Sequence, residues 1–134
     1  MAIVADASVV VSWAFDEEAS PLGAAAISVV RREGASVPAL WWFEVRNALI
    51  MNERRGRLTP LVTSDFLQEL SRLRIAIDPA PEAEEVLDFA RRHRLTVYDA
   101  SYLELAVRRR IPLATLDSAL AQAARREGVA LIGD

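Results

Sequence analysis

Two rhythms of apolar residues alternate along this chain. Short, largely apolar runs occur at Ile3 to Ala5, Ala35 to Pro38, Ile75 to Ile77, Pro112 to Thr115 and Val129 to Ile132. Between them, apolar residues recur every three or four positions. Runs of the first kind fit strands covered on both faces, as in a parallel sheet, and the second spacing fits helices with one buried stripe. Strands alternating with helices predict parallel pairing through right-handed crossovers, with helices on both faces of the sheet. The expected fold is therefore α/β, a three-layer α/β/α arrangement.

Local signals place the boundaries. A short helix near Val9 to Phe15 follows the first strand, and Asp16 to Pro21 is expected to be a loop whose Ser20-Pro21 starts the next helix. Gly34 stops that helix. Leu40 to Arg55 is expected to be helical, with Trp41, Val45, Ala48, Leu49 and Asn52 on one face and Glu44 beside it. Thr59-Pro60 caps another helix whose stripe is Val62, Phe66, Leu70 and Leu73. After Pro79 and Pro81, a helix begins among Glu82, Glu84 and Glu85 and ends around His93. Thr96 to Tyr98 lead into Asp99 and a helix from Ala100, and Ser118 to Arg126 forms the last helix, stopped by Gly128.

Composition narrows the chemistry more than the fold. The 134 residues suit one domain, 1–134, and 52% hydrophobic with 26% charged residues lies within the globular range. Cysteine is absent, which excludes disulfides and thiolate metal sites. All 16 basic residues are arginine, so a P-loop, a Schiff base and the lysine-assisted aspartyl phosphorylation of receivers and phosphatases are excluded. A net charge of −3 argues against a broadly basic nucleic-acid binder. Asp6 precedes any basic residue and any signal-like apolar core, and no run approaches membrane-spanning length, so a cytoplasmic protein without membrane association is expected.

The candidate chemistry lies in four acids. Asp6 ends the first strand, Asp117 follows the fourth, Asp99 opens a helix, and Glu44 interrupts the apolar run Leu-Trp-Trp-Phe-Glu-Val. Each aspartate alone has an ordinary explanation as a helix N-cap, and Glu44 alone could face solvent. A parallel sheet, however, brings all four toward the edge formed by the strands' carboxyl ends. Two carboxylates about 4 Å apart repel by roughly 4 kcal/mol at an effective dielectric near 20, so the cluster requires a shared proton or a cation. Oxygen donors favour Mg²⁺ or Mn²⁺.

The fragments Val4-Ala5-Asp6-Ala7-Ser8, Glu44 with Asn47, Tyr98-Asp99-Ala100-Ser101-Tyr102-Leu103 and Leu113-Ala114-Thr115-Leu116-Asp117 follow one another in an order that resembles PIN-domain ribonucleases. The resemblance is to VapC-type toxins of bacterial toxin-antitoxin pairs and covers nearly the whole chain. It implies that Asp6, Glu44, Asp99 and Asp117 form the metal-binding catalytic set, with Ser8, Asn47 and Thr115 in support. It implies a five-stranded parallel sheet in order 3-2-1-4-5 and hydrolysis of RNA phosphodiesters by a water activated by Mg²⁺ or Mn²⁺. Asp6 and Asp99 are the expected direct ligands. A cognate antitoxin and a homodimer are the implied partners. The alternative is a PIN-like module without catalysis that binds RNA or scaffolds an assembly.

Other charged and aromatic residues receive structural readings. Arg31-Arg32, Arg54-Arg55, Arg91-Arg92, Arg108 to Arg110 and Arg125-Arg126 fall near helix C-termini, where they suit the helix dipole. Arg46, nearer a helix start, is the candidate for holding a substrate phosphate. His93 is expected at the surface beside its arginines. Leu40-Trp41-Trp42-Phe43 cannot share one inward stripe, because successive helical residues are about 100° apart. At least one of these aromatics should therefore face away from the sheet, either covered by a neighbouring helix of the same chain or forming an interface for a second copy or an antitoxin.

Overall fold

The computed structural model describes residues 1–15 and 20–134. Of the loop expected at Asp16 to Pro21, positions 16–19 lie outside the described residues. Four parallel strands, β1 (Ile3–Ala5), β2 (Ala35–Pro38), β3 (Ile75–Asp78) and β4 (Leu113–Ala114), stand in the order β3-β2-β1-β4. Seven helices connect or follow the described strands: α1 (Ala7–Ser12), α2 (Pro21–Glu33), α3 (Leu40–Arg54), α4 (Pro60–Ser71), α5 (Ala83–His93), α6 (Val97–Arg109) and α7 (Ser118–Arg126). The expected α/β architecture is present. Strands β1, β2 and β4 are buried along their length, which is why they read as largely apolar runs, whereas the edge strand β3 leaves Ile77 exposed.

The expected fifth strand is reduced to a single bridge. Leu113 pairs with Leu131, and two hydrogen bonds join them to the sheet, Leu113 N–H to Ala130 at 2.9 Å and Ile132 N–H to Leu113 at 3.0 Å. The cause is the brevity of β4. Pro112 has no N–H to offer, and Thr115 has left the ladder for a side-chain network described below. Gly133, at φ +94°, then turns the chain.

Helix ends obey the capping signals. Ser20 accepts from Gly23 N–H and Thr59 from Val62 N–H, each followed by proline in the first turn. Gly34 ends α2 with φ +83°, and a Cβ there would lie 2.9 Å from the Arg74 carbonyl oxygen, so the turn into β2 needs glycine on both counts. The buried apolar side chains form one cluster on both sides of the sheet, including Val9 and Val10 from α1, Trp41, Val45 and Leu49 from α3, Leu103 and Leu105 from α6 and Leu120 from α7.

Two charged groups differ from their expected surface roles. The His93 side chain is only 4% exposed, and its Nε2 lies 2.7 Å from Glu127 Oε2, which also accepts from Arg92 at 2.8 Å. His93 therefore ties α5 to the end of α7. Arg108 and Arg109 do occupy the last turn of α6, but they also neutralise two buried acids. Arg108 reaches Asp78 at 2.7 Å and Glu104 at 2.6 Å, and Arg109 reaches Asp78 at 2.9 Å. The carboxylates of Asp78 and Glu104 are 5% and 2% exposed, so this is an interior ion-pair cluster joining β3 to α6.

Candidate metal-binding acidic site

Asp6 is the first residue beyond β1 and the N-cap of α1, where its Oδ1 accepts from Val9 N–H at 3.1 Å. The same oxygen accepts from the Ser8 hydroxyl at 2.6 Å, and Oδ2 accepts from the Thr115 hydroxyl. Each hydroxyl is in turn fixed from behind. Leu116 N–H donates to Ser8 Oγ at 3.1 Å, and Asp117 N–H donates to Thr115 Oγ1 at 3.0 Å. The loop after β4 is thereby clamped to the end of β1, next to it in the sheet. Asp117 caps α7 through Leu120 N–H at 2.9 Å. Ser8 and Thr115 thus both donate to the Asp6 carboxylate.

Asp99 reaches the site by a different route from the one expected. It follows no strand, since α5 leads directly to α6, and Thr96 rather than Asp99 is the N-cap, accepting from Asp99 N–H at 3.0 Å. Asp99 therefore lies within the first turn of α6, where the helix dipole favours a carboxylate. Glu44, one turn into α3, is half-buried and accepts from the Tyr102 hydroxyl at 2.6 Å. Tyr102 is a neutral member of this cluster that the pattern of acids does not reveal. Its signal was present, because a phenol amid the buried residues of a helix must find a partner.

The four acids act on one another's charge. Burial pushes the Asp6 carboxyl above its ordinary range, opposed by its hydroxyl and amide donors and reinforced by the charge of Asp117. Glu44 is pushed up by burial and by Asp99 and Asp6, against the lowering effect of the Tyr102 hydrogen bond. Asp99 is pushed up by burial, then by Asp117 and Asp6. The Tyr102 phenol is held strongly protonated by burial and by Glu44. Burial is the main cause in Asp6, Glu44 and Asp99, and the charge of a nearby acid adds to it in each.

The remaining two candidates stand apart from this network. Asn47 is exposed on α3, three residues past Glu44. Arg46 does not turn to the acids. Its guanidinium lies 3.8 Å from the centre of the Trp42 ring and donates to the Trp42 carbonyl at 3.1 Å, so the expected placement opposite a phosphate is not met in this arrangement.

The donor set consists of carboxylate and hydroxyl oxygens, which suits a hard cation and not a soft one. Among the described residues no group of three or more acids or histidine is placed to hold an ion together. That arrangement is compatible with one class of ion. Mg²⁺ commonly uses only one or two carboxylates and keeps several waters, so acids that share a field without converging on a point fit it.

Comparison with known proteins agrees with this architecture. The PIN domain family matches residues 3–126. Ribonuclease VapC3 of Pyrobaculum aerophilum is 34% identical over 125 residues, 91% of this chain and 94% of that protein. The crystal structure of PAE2754 from Pyrobaculum aerophilum superposes with a TM-score of 0.75 at 26% identity, covering 98% of this chain and 90% of the other. With the family match running from β1 to the last residue of α7, the chain belongs to the PIN-domain family, and its relatives include a VapC-type ribonuclease.

Proposed function

We propose that this protein is a divalent-cation-dependent endoribonuclease and the toxin of a toxin-antitoxin pair, with Asp6, Glu44, Asp99 and Asp117 as its metal-binding catalytic set. The observation that carries this reading is the placing of Asp6 at the end of β1, hydrogen-bonded to Thr115 of the loop that leads to Asp117, in a chain of the PIN-domain family with a ribonuclease relative. Mg²⁺ or Mn²⁺, when bound, would acidify the attacking water and offset charge on the phosphate.

The chain's own groups divide the remaining work. A carboxylate offers about four acceptor positions, and three on Asp6 are already taken by Ser8, Val9 and Thr115. Asp6 is therefore a fixed reference with little freedom to move. Asp99 lies in the first turn of α6 without serving as its cap, which leaves its oxygens more open to a cation. RNA as the substrate is in keeping with two exposed rings that adjoin acids in the sequence. Phe43 and Tyr98, 69% and 63% exposed, immediately precede Glu44 and Asp99, and rings so placed suit stacking of unpaired bases. Within the described residues no helix is long and apolar enough to cross a membrane, in keeping with a cytoplasmic site of action.

Cation binding gives the first test. Mn²⁺ or Mg²⁺ should raise the thermal midpoint of the metal-free protein, because an ion that binds only the folded acids shifts unfolding by mass action. The sign of the pH dependence follows from the raised carboxyls. Their folded-state pKa values exceed the unfolded ones, so their favourable contribution is full below the unfolded carboxylate range and is lost as pH rises through the raised values. The midpoint gain should therefore grow with pH over that window and vanish in Asp6→Ala. An equal response in the variant would place the ion elsewhere.

Partner binding gives the second. Trp41 is buried, but Trp42 is 43% exposed and meets Phe43 edge-on with ring centres 5.0 Å apart. We expect this outward aromatic pair to contact a second copy of the chain or the antitoxin. Trp42 should lose at least half its accessible area in that complex, and Trp42→Ala should weaken association in sedimentation experiments. Unchanged association, with Trp42 still exposed in the complex, would remove the surface from consideration.

A further inference from the structure

The two tyrosines of the chain have opposite environments: Tyr98 is exposed, while Tyr102 is 1% exposed and belongs to the core. Tyr102 lies three residues past Asp99 on α6, and its hydroxyl donates at 2.6 Å to Oε1 of Glu44, 58 residues earlier in the chain. One hydroxyl therefore joins the first turns of α6 to the acid carried by α3. A hydrogen bond to a carboxylate at this length is of the strong, charge-assisted kind.

Without that bond Glu44 would be a flexible side chain on a half-exposed helix face, free to turn toward solvent and away from two acids that repel it. The ring of Tyr102 is locked by packing, so its hydroxyl is a fixed point. We infer that Tyr102 is a positioning residue, which occupies Glu44 Oε1, holds the carboxylate on the α6 side, and leaves Oε2 for a cation. This rests on the cation-binding reading of the site, and it extends the functional set to a residue that is not itself a metal donor. Groups that orient metal ligands typically alter metal affinity or activity by 10–100-fold when removed.

Tyr102→Phe tests it, because the ring and its packing stay while the hydroxyl goes. Mn²⁺ affinity measured by titration calorimetry should fall by about tenfold or more. In a Glu44→Ala background the same change should leave Mn²⁺ affinity unaltered, since the carboxylate it positions is gone. A lower thermal midpoint with unchanged Mn²⁺ affinity would make Tyr102 a packing residue only and overturn the inference. So would an equal loss of affinity in the Glu44→Ala background. RNA cleavage separates this inference from the proposed function. A wild type that binds Mn²⁺ through Glu44 and Tyr102 but cleaves no RNA would refute the nuclease and leave the positioning role intact. A wild type that cleaves RNA, with Tyr102→Phe binding Mn²⁺ equally well, would refute the positioning role alone. A wild type that binds no Mn²⁺ would refute both.

Discussion

Asp99→Asn is expected to reduce RNA cleavage at saturating Mg²⁺ by about three orders of magnitude, or about 4 kcal/mol of transition-state stabilisation, while leaving the fold intact. This acid separates chemistry from folding more cleanly than its neighbours. Asp6 and Asp117 each cap a helix, through Val9 and Leu120, so their loss also costs a cap. The cap of α6 is Thr96, and asparagine in place of Asp99 keeps the size while removing the charge. Burial and the charges of Asp117 and Asp6 raise the Asp99 pKa, so its ionisation opposes folding at pH values above the raised pKa. With chelator present, the variant should unfold at the same temperature as the parent or slightly higher. Cleavage rates and thermal midpoints measured side by side check both halves, and full activity in the variant would remove Asp99 from the catalytic set.

Arg108→Ala should produce the largest loss of stability among single surface-facing substitutions, about 3–5 kcal/mol. Its guanidinium holds two carboxylates that are otherwise cut off from water, Asp78 and Glu104. Removing it leaves Glu104 without its partner and Asp78 with Arg109 alone. The hydrogen bond from Arg108 is the main cause of the depressed Asp78 pKa. A depressed carboxyl stabilises the fold above its unfolded pKa, and that contribution is lost as pH falls through the folded value. The gap between parent and variant should therefore be widest near neutral pH and close on acidification, as Asp78 protonates. Urea unfolding at two pH values measures this. A difference below about 1 kcal/mol at neutral pH would mean that the cluster behaves as an exposed surface pair.

Much of the fold was legible because its signals are local. Apolar runs marked the four strands, and Ser20-Pro21, Thr59-Pro60 and Asp117 marked helix starts that the structure reproduces. The acids near strand ends were legible for the same reason, since Asp6 follows β1 directly and Asp117 stands three residues past β4. What escaped depends on distant pairing. The Arg108 to Asp78 bond spans 30 residues, His93 to Glu127 spans 34, and Tyr102 to Glu44 spans 58, and no periodicity announces such contacts. The dipole explanation for Arg108 was sound but incomplete. Val129 to Ile132 had the composition of a strand, yet the two-residue β4 offered only enough backbone for a bridge. Arg46 was placed by its position along α3, whereas its side chain followed the nearer attraction of the Trp42 ring one turn away.

The most direct measurement is cleavage of single-stranded RNA by the purified chain, stripped of metal and then supplied with Mg²⁺ or Mn²⁺, alongside Asp99→Asn under the same conditions. Cleavage that requires the added ion, stops with chelator, returns on re-addition and is lost in the variant is the expected result. RNA left intact at every ion concentration, or cut equally by the chelated protein and by Asp99→Asn, would contradict a catalytic role for the four acids.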